Sequence, residues 1–411
     1  MDFSRLVLCY LLMVLVAALT EPVMQRLRLP PALAWLLAGM GGASAMTAAG
    51  FDTGLRWDTF EPLVSSLFIP VLVFQAAFDM DPSRLRHLLG PILILAMPVM
   101  LVAAAIIAAV MYVAIGHPTG FPWIAAALAG VLLAATDPGP AIALLRGLPD
   151  GERLALLLDG ESLFNDALSI VLYGTLLPLA LMPSMAGVSG WAVASDTLLA
   201  LFGGIAVGAL VATATRWLLA RVSASHVQTL LTGGCVYASY LLADIELGWS
   251  GVMAVLASGW LLADWFRRFA PADASRFVLE FWSFIAHLAS GLLFLLGGMT
   301  FTAAIFTEQW LAMLIAIAAT VCARPLSLLP GFVLARHFTP GRMALSRRDQ
   351  VTVALGGTRG VVTLALALAL PPALESWFTI QAAAYGVVAF ALIVQTPCLA
   401  AWIRRPGYLR G

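Results

Sequence analysis

Thirteen apolar runs follow one another along the chain, separated only by short charged or Gly/Pro-rich breaks. They cover 6–20, 32–50, 60–78, 88–115, 121–147, 152–182, 191–217, 227–243, 250–263, 277–300, 309–335, 348–370 and 377–403. A helix crosses the hydrocarbon of a bilayer in about 20 mostly apolar residues, so each run is a candidate span, the ninth being short. Strand-type alternation is missing, which predicts helices rather than a barrel. Only 11% of the 411 residues are charged and 62% are hydrophobic. A soluble domain has about 25% and about 45–50%, so this chain cannot clothe a water-facing surface. The same figures exclude disulfide scaffolds, disordered segments and nucleic-acid binders. Cys9, Cys235, Cys322 and Cys398 lie far apart inside apolar runs, and no CxxC spacing or Cys/His cluster predicts a metal centre or disulfide frame. The chain is expected to be an all-α polytopic membrane protein.

The basic residues test the count. All 22 are arginines, balanced by 22 acids. If thirteen spans alternate, one side holds Arg5 and Arg56. The other holds Arg26, Arg28, Arg84, Arg86, Arg146, Arg153, Arg216, Arg221, Arg267, Arg268, Arg276, Arg336, Arg342, Arg347, Arg348, Arg404, Arg405 and Arg410. A miscounted helix would scramble that split. It predicts the N-terminus outside and the C-terminus in the cytoplasm, in the plasma (inner) membrane. Arg26 and Arg28 after the first run argue that it is retained rather than cleaved as a signal peptide.

Five ionisable residues remain at membrane depth: Asp137, Glu161, Asp166, Arg324 and Arg359. Each would cost at least ~2.5–3.5 kcal/mol on insertion scales, so such groups pair inside a bundle or mark an ion path. Three acids against two arginines leave one spare carboxylate, which can hold either a proton or one monovalent cation. That exclusive choice is the core of cation/proton exchange.

Span 5 carries Ala135-Thr136-Asp137-Pro138-Gly139-Pro140. Two prolines around a glycine remove backbone donors and clash with preceding carbonyls, so the helix must break. Irregular backbone at that depth survives where it lines a cavity and can offer carbonyls to ions. In span 6, Asp159, Ser162 and Asp166 fall at about 0°, 300° and 340° on a helical wheel, whereas Glu161 and Asn165 fall at about 200° and 240°. The first stripe suits a water-filled path. The second could hold Glu161 against Arg324 of span 11, as a pair bracing the bundle, because Arg keeps its proton. Span 12 reads Gly356-Gly357-Thr358-Arg359-Gly360, a second glycine-weakened break. Two interrupted helices in corresponding halves are the mark of an inverted-repeat transporter. Arg359 would offset the dipole ends facing each other there, and Asp137 could do so from the opposite side. His287 is expected in the packed interior, and His87, His117, His226 and His337 near span ends. The small residues Gly39 to Gly42 predict close helix packing.

Ala135-Thr136-Asp137-Pro138, Gly160-Glu161-Ser162-Leu163-Phe164-Asn165-Asp166-Ala167, Ala323-Arg324-Pro325-Leu326-Ser327 and Gly356-Gly357-Thr358-Arg359-Gly360 resemble the motifs of the monovalent cation:proton antiporter-1 family, the sodium/proton exchangers. Phe281-Trp282 to Gly298 is similar to that family's tenth-span signature. The resemblance runs over nearly the whole chain. It implies a thirteen-helix homodimer of the sodium/proton antiporter fold, with discontinuous spans 5 and 12 crossing. Core helices would occupy 88–182 and 309–403, and scaffold and dimer helices 1–80 and 227–300. Asp166 would bind cation or proton, and Thr136, Ser162 and Asp137 would complete the Na⁺ site. Asn165 stands where electrogenic relatives have a second Asp, which implies electroneutral one-for-one exchange. Glu161 and Arg324 would be the brace. Gln75 stands where many relatives have Glu near the cation, and Ser283 and Ser290 where they tend to have Glu and Asn. The tail-based regulation of animal members is not expected.

The implied activity is secondary active antiport of Na⁺, with Li⁺ or K⁺ as alternative cargo, against H⁺, serving pH and sodium homeostasis without an enzyme's chemistry or a cofactor. The partners expected are monovalent cations, protons, lipid and a second copy, with no nucleic acid. Gln75 keeps K⁺/H⁺ antiport as the second reading. An intramembrane aspartyl protease using Asp137 and Asp166 needs two acids on one water, but its Gly-x-Gly-Asp signature is absent. A passive channel fits the paired charges less well than a gated single site.

Overall fold

The computed structural model describes residues 3–51, 57–116, 120–146, 148, 151–182, 189–339 and 345–404. Arg56, Arg342, Arg405 and Arg410 of the sorting above, and His117, lie outside the described residues. Every regular element among those described is helical, and the helices form thirteen rods. They are α1 (Phe3–Arg26), α2 (Ala32–Ala48), α3 (57–79), α4 (Pro82–Ala114), α5 (Trp123–Leu145), α6 (Gly151–Leu181) and α7 (Gly190–Leu219). Then follow α8 (225–246), α9 (Gly251–Phe269), α10 (Ala272–Thr300), α11 (Ala303–Phe338), α12 (Arg347–Leu368) and α13 (Trp377–Ile403). Ten of the rods are long and apolar enough to cross a bilayer, the others being the shorter or more polar α2, α8 and α9.

Several helices outrun their apolar stretch because polar turns stay helical. Thus α9 continues to Phe269 instead of ending at 263. Trp265 and Phe266 stay buried there, and Asp264 is held by Arg268 at 2.7 Å and Arg86 at 3.3 Å. Proline alone does not break a rod. α11 runs through Pro325 and Pro330, and α4 absorbs Pro98 in a wider π turn over Leu95–Val99. In α5, by contrast, the helix stops at Ala134 and resumes at Gly139. Each residue before a proline is pushed towards extended backbone, and here two such residues flank one turn. α12 stops at Gly356 and resumes at Val361. Its start is fixed by a capping box, in which the Ser346 hydroxyl accepts the Asp349 amide and Asp349 accepts the Ser346 amide.

The rods divide into two compact units. One comprises residues 1–64, 90–165 and 290–411. In it α4 packs on α5, α11 lies against α4 and α13, and α12 against α5 and α13. Gly39 lets the α2 backbone meet the carbonyl of Leu295, and Gly42 faces Met13, so the small-residue run does serve close packing. The other unit comprises residues 65–89 and 166–289. Here α7 rests on α9 through Gly204 and Gly208, whose missing side chains admit the carbonyls of Ser250 and Ala254. Phe74, Phe78, Phe266 and Trp282 pack ring against ring in its interior, and the Trp282 indole donates to Thr232 at 2.9 Å. His287, expected in the interior, is exposed on α10. An apolar neighbourhood in sequence says nothing about which side of a helix a residue faces.

Candidate functional site

All the broken-helix chemistry lies in the first unit. A helix that stops in mid-membrane leaves its last carbonyls and the next segment's first amides without helical partners, and each needs another. At the end of α5's first half those carbonyls are taken by side chains from other helices. Thr363 of α12 donates to Leu132 O at 3.3 Å, Arg359 Nε to Leu133 O at 2.8 Å, and Asn165 of α6 to Ala134 O at 3.3 Å. The break in α12 is served likewise. Arg324 donates to Val353 O at 3.3 Å, and the Arg359 guanidinium donates to Gly357 O.

The two breaks are also tied to each other. The Asp137 amide donates to Thr358 O at 2.7 Å, and the Thr358 hydroxyl donates back to Asp137 O. Gly360 is the contact point, because a Cβ there would strike the Asp137 side chain. Gly357 leaves room for the Arg324 guanidinium in the same way. Charge follows the helix ends. Arg359 sits on carbonyls at the C-terminal ends of both first halves. The Asp137 carboxylate accepts the Gly139 amide at 3.1 Å and also the Val361 amide, the first amides of both second halves. A cation at C-terminal ends and an anion at N-terminal ends offset the half-helix dipoles.

α6 supplies the third wall. Its Ser162 hydroxyl donates to Thr136 O at 2.5 Å, and the Asn165 amide donates to the Thr136 hydroxyl at 3.1 Å. Ser162 and Asn165 were expected on separate stripes, but about 60° of helical arc separates them and both reach the α5 break. Asn165 Oδ1 is buried with no hydrogen-bond partner among the described residues. Glu161, on the far stripe, grips Arg324 through two bonds of 2.5 and 3.0 Å. The pair is 1% and 4% exposed, and its forked geometry holds α6 to α11. Asp159 is half-buried near the start of the Ser162 stripe. Asp166, the residue after Asn165 on α6, is half-buried and belongs to the second unit, as does the half-buried Gln75 of α3.

Thr136, Asp137, Ser162, Asn165 and Arg359 are thus brought together, with Glu161 and Arg324 as a separate buried pair. Thr358 was not singled out, although it joins the two breaks. A hydroxyl between Gly357 and Arg359 inside an apolar span was its signal. A hydroxyl that commits its proton to a carbonyl, as Ser162 does, keeps its lone pairs for another partner. Oxygens of this kind suit a hard monovalent cation.

The family profile described as "Sodium/hydrogen exchanger, transmembrane" matches residues 11–405. The Na(+)/H(+) antiporter ApNhaP of Aphanothece halophytica is 32% identical over 334 residues, which are 81% of this chain and 62% of that protein. The low-affinity Na(+)/H(+) antiporter NhaS1 of Synechocystis is 30% identical, over 81% of this chain and again 62% of the relative. The chain therefore spans about three fifths of the length of these curated relatives. The solved structure of the sodium proton antiporter MjNhaP1 from Methanocaldococcus jannaschii superimposes with a TM-score of 0.80. That match covers 97% of this chain and 100% of the other at 21% identity, a likeness of fold. Motifs, fold and profile agree, and the chain belongs to the sodium/hydrogen exchanger family.

Proposed function

We propose that the chain is a secondary active antiporter that exchanges Na⁺ for H⁺, one for one, across the plasma membrane. The observation that carries this reading is the mutual lock of the α5 and α12 breaks. It gathers backbone carbonyls outside regular helix and the Thr136 and Ser162 hydroxyls beside the helix that bears Asp166. Asp166 stands one turn along α6 from Ser162, so both lie on one face of that helix. Asp166 takes either the proton or the cation. Thr136, Ser162 and Asp137 complete the cation's shell, directly or through water. Asp159 lines the approach on the same face.

The charge count explains the coupling. Arg359 is offset by two helix ends, Asp137 by the amides that open both second halves, and Arg324 by Glu161, while the passenger neutralises the Asp166 carboxylate. Crossing is allowed only when that has happened, so an empty carboxylate cannot return and the two fluxes are tied. Asn165 adds no second charge, which favours the electroneutral ratio. Movement is a rocking of core helices 88–182 and 309–403 against scaffold helices 1–80 and 227–300, within a homodimer. The arginine distribution favours an outside N-terminus and a cytoplasmic C-terminus. Membership of a transporter family supports transport over the protease reading.

The test is proteoliposomes with an imposed pH gradient, to which Na⁺, Li⁺ or K⁺ is added. Na⁺ should collapse the gradient in the parent protein. Asp166→Asn should abolish the collapse while the purified variant keeps its helical content. Substantial exchange by that variant would overturn the assignment, and a response to K⁺ but not Na⁺ would replace the cargo.

A further inference from the structure

α13 carries two glutamines that donate to open carbonyls of its neighbour α12. Gln381, itself buried, donates to Ala367 O at 3.1 Å, at the far C-terminal end of α12's second half. Gln395 donates to Leu355 O at 2.9 Å and to Gly357 O at 3.4 Å, at the broken end of the first half. Gln395 closes a π turn over Ala391–Gln395, a local widening that inserts a residue into the helix and re-aims those that follow. The two amides do the same chemical task at the C-terminal ends of the two halves of α12, but only one of them does it at the break.

We infer that Gln395 is a positioning residue for ion exchange, holding the α12 break in register for the α5 break. It acts through the backbone. Gly357 O is shared by Gln395 and the Arg359 guanidinium, and Arg359 in turn reaches Leu133 O of α5. The next residue, Thr358, makes the reciprocal bonds with Asp137. A donor at Gln395 therefore fixes the short segment on which both interhelical ties depend. A neutral amide is the suitable group here. It satisfies carbonyls without drawing Arg359 away, as a carboxylate would, and without repelling it, as a second cation would.

The inference rests on the exchange reading above, and the test separates the two. Parent, Asp166→Asn, Gln395→Leu, Gln395→Glu and Gln381→Leu are reconstituted side by side, with thermal unfolding measured on the same preparations. Parent and Asp166→Asn report on the exchange reading alone. Gln395→Leu should raise the half-saturating Na⁺ concentration about five- to tenfold, the worth of one or two ordinary hydrogen bonds. Gln395→Glu, which keeps the shape and loses the donor, should shift it in the same direction and at least as far. Gln381→Leu should lower the unfolding temperature while leaving the half-saturating concentration where it is in the parent. If both Gln395 variants kept the parent's half-saturation and changed only yield or unfolding temperature, the residue would be merely structural. An equal shift in Gln381→Leu would also overturn the inference.

Discussion

The α5/α12 breaks and the α7/α9 contact both bring two helix backbones together in a medium without water, and they do it by opposite means. In the second unit the helices stay whole. Gly204 and Gly208 remove side chains so that intact backbones touch, and the buried hydroxyls of Thr215 and Ser258 return their protons to carbonyls of their own helices. Nothing charged is needed. In the first unit the helices are interrupted, and their open ends are closed by Arg359, Asp137, Asn165 and Thr358 from other elements. The difference teaches where chemistry can live. A whole helix satisfies itself and has nothing to offer an ion, whereas a broken one must be satisfied from outside and can exchange one outside partner for another.

The contrast is broken most severely at the buried pair. Glu161→Gln should cost about 3–5 kcal/mol, because Arg324 would be left as an uncompensated buried charge. Glu161→Leu combined with Arg324→Leu should be less damaging to unfolding temperature than either change alone. If the single variants behave like ordinary surface changes, the pair does not brace the bundle.

Next comes one added methyl group in each region. Gly360→Ala meets the Asp137 side chain, and Gly208→Ala meets the Ala254 backbone. Overpacking of this kind costs ~1–3 kcal/mol. Both should lower the unfolding temperature, but only Gly360→Ala should lower the exchange rate of the folded fraction, by about tenfold or more. Equal effects on transport would erase the distinction between the regions.

The smallest effect concerns a surface turn of the second unit. Burial alone would raise the Asp81 carboxyl, but the hydroxyl and amide of Ser83, at 2.6 and 2.9 Å, together with Arg84 and Arg267, hold it below its usual value. A depressed folded value means stabilisation that is full at neutral pH and is lost as pH falls through that value. Asp81→Ala should therefore melt slightly below the parent at neutral pH, with the gap closing in acid, and transport should not change.

Much of this was legible in the sequence. Hydropathy marks thirteen rods because the bilayer demands long apolar runs, and Pro138-Gly139-Pro140 marks the α5 break because prolines suit the first turn of a helix better than its interior. Glu161 and Arg324 could be paired because charges at that depth need partners. Neutral polar residues were harder. Thr358, Gln381 and Gln395 carry no charge and no periodic signal, and their meaning depends on which carbonyl a neighbouring helix leaves open. The roles of Ser162 and Asn165 were blurred for a related reason, since a helical wheel gives directions on one helix but not the width of the groove it faces.

The most direct test of the central claim is the half-saturating Na⁺ concentration measured in proteoliposomes across a range of pH. One carboxylate that holds either passenger predicts that this concentration rises on the acid side by about tenfold for each pH unit, with the maximal rate unchanged. A half-saturation that ignores pH, or Na⁺ flux with no opposing H⁺ flux, would contradict the account.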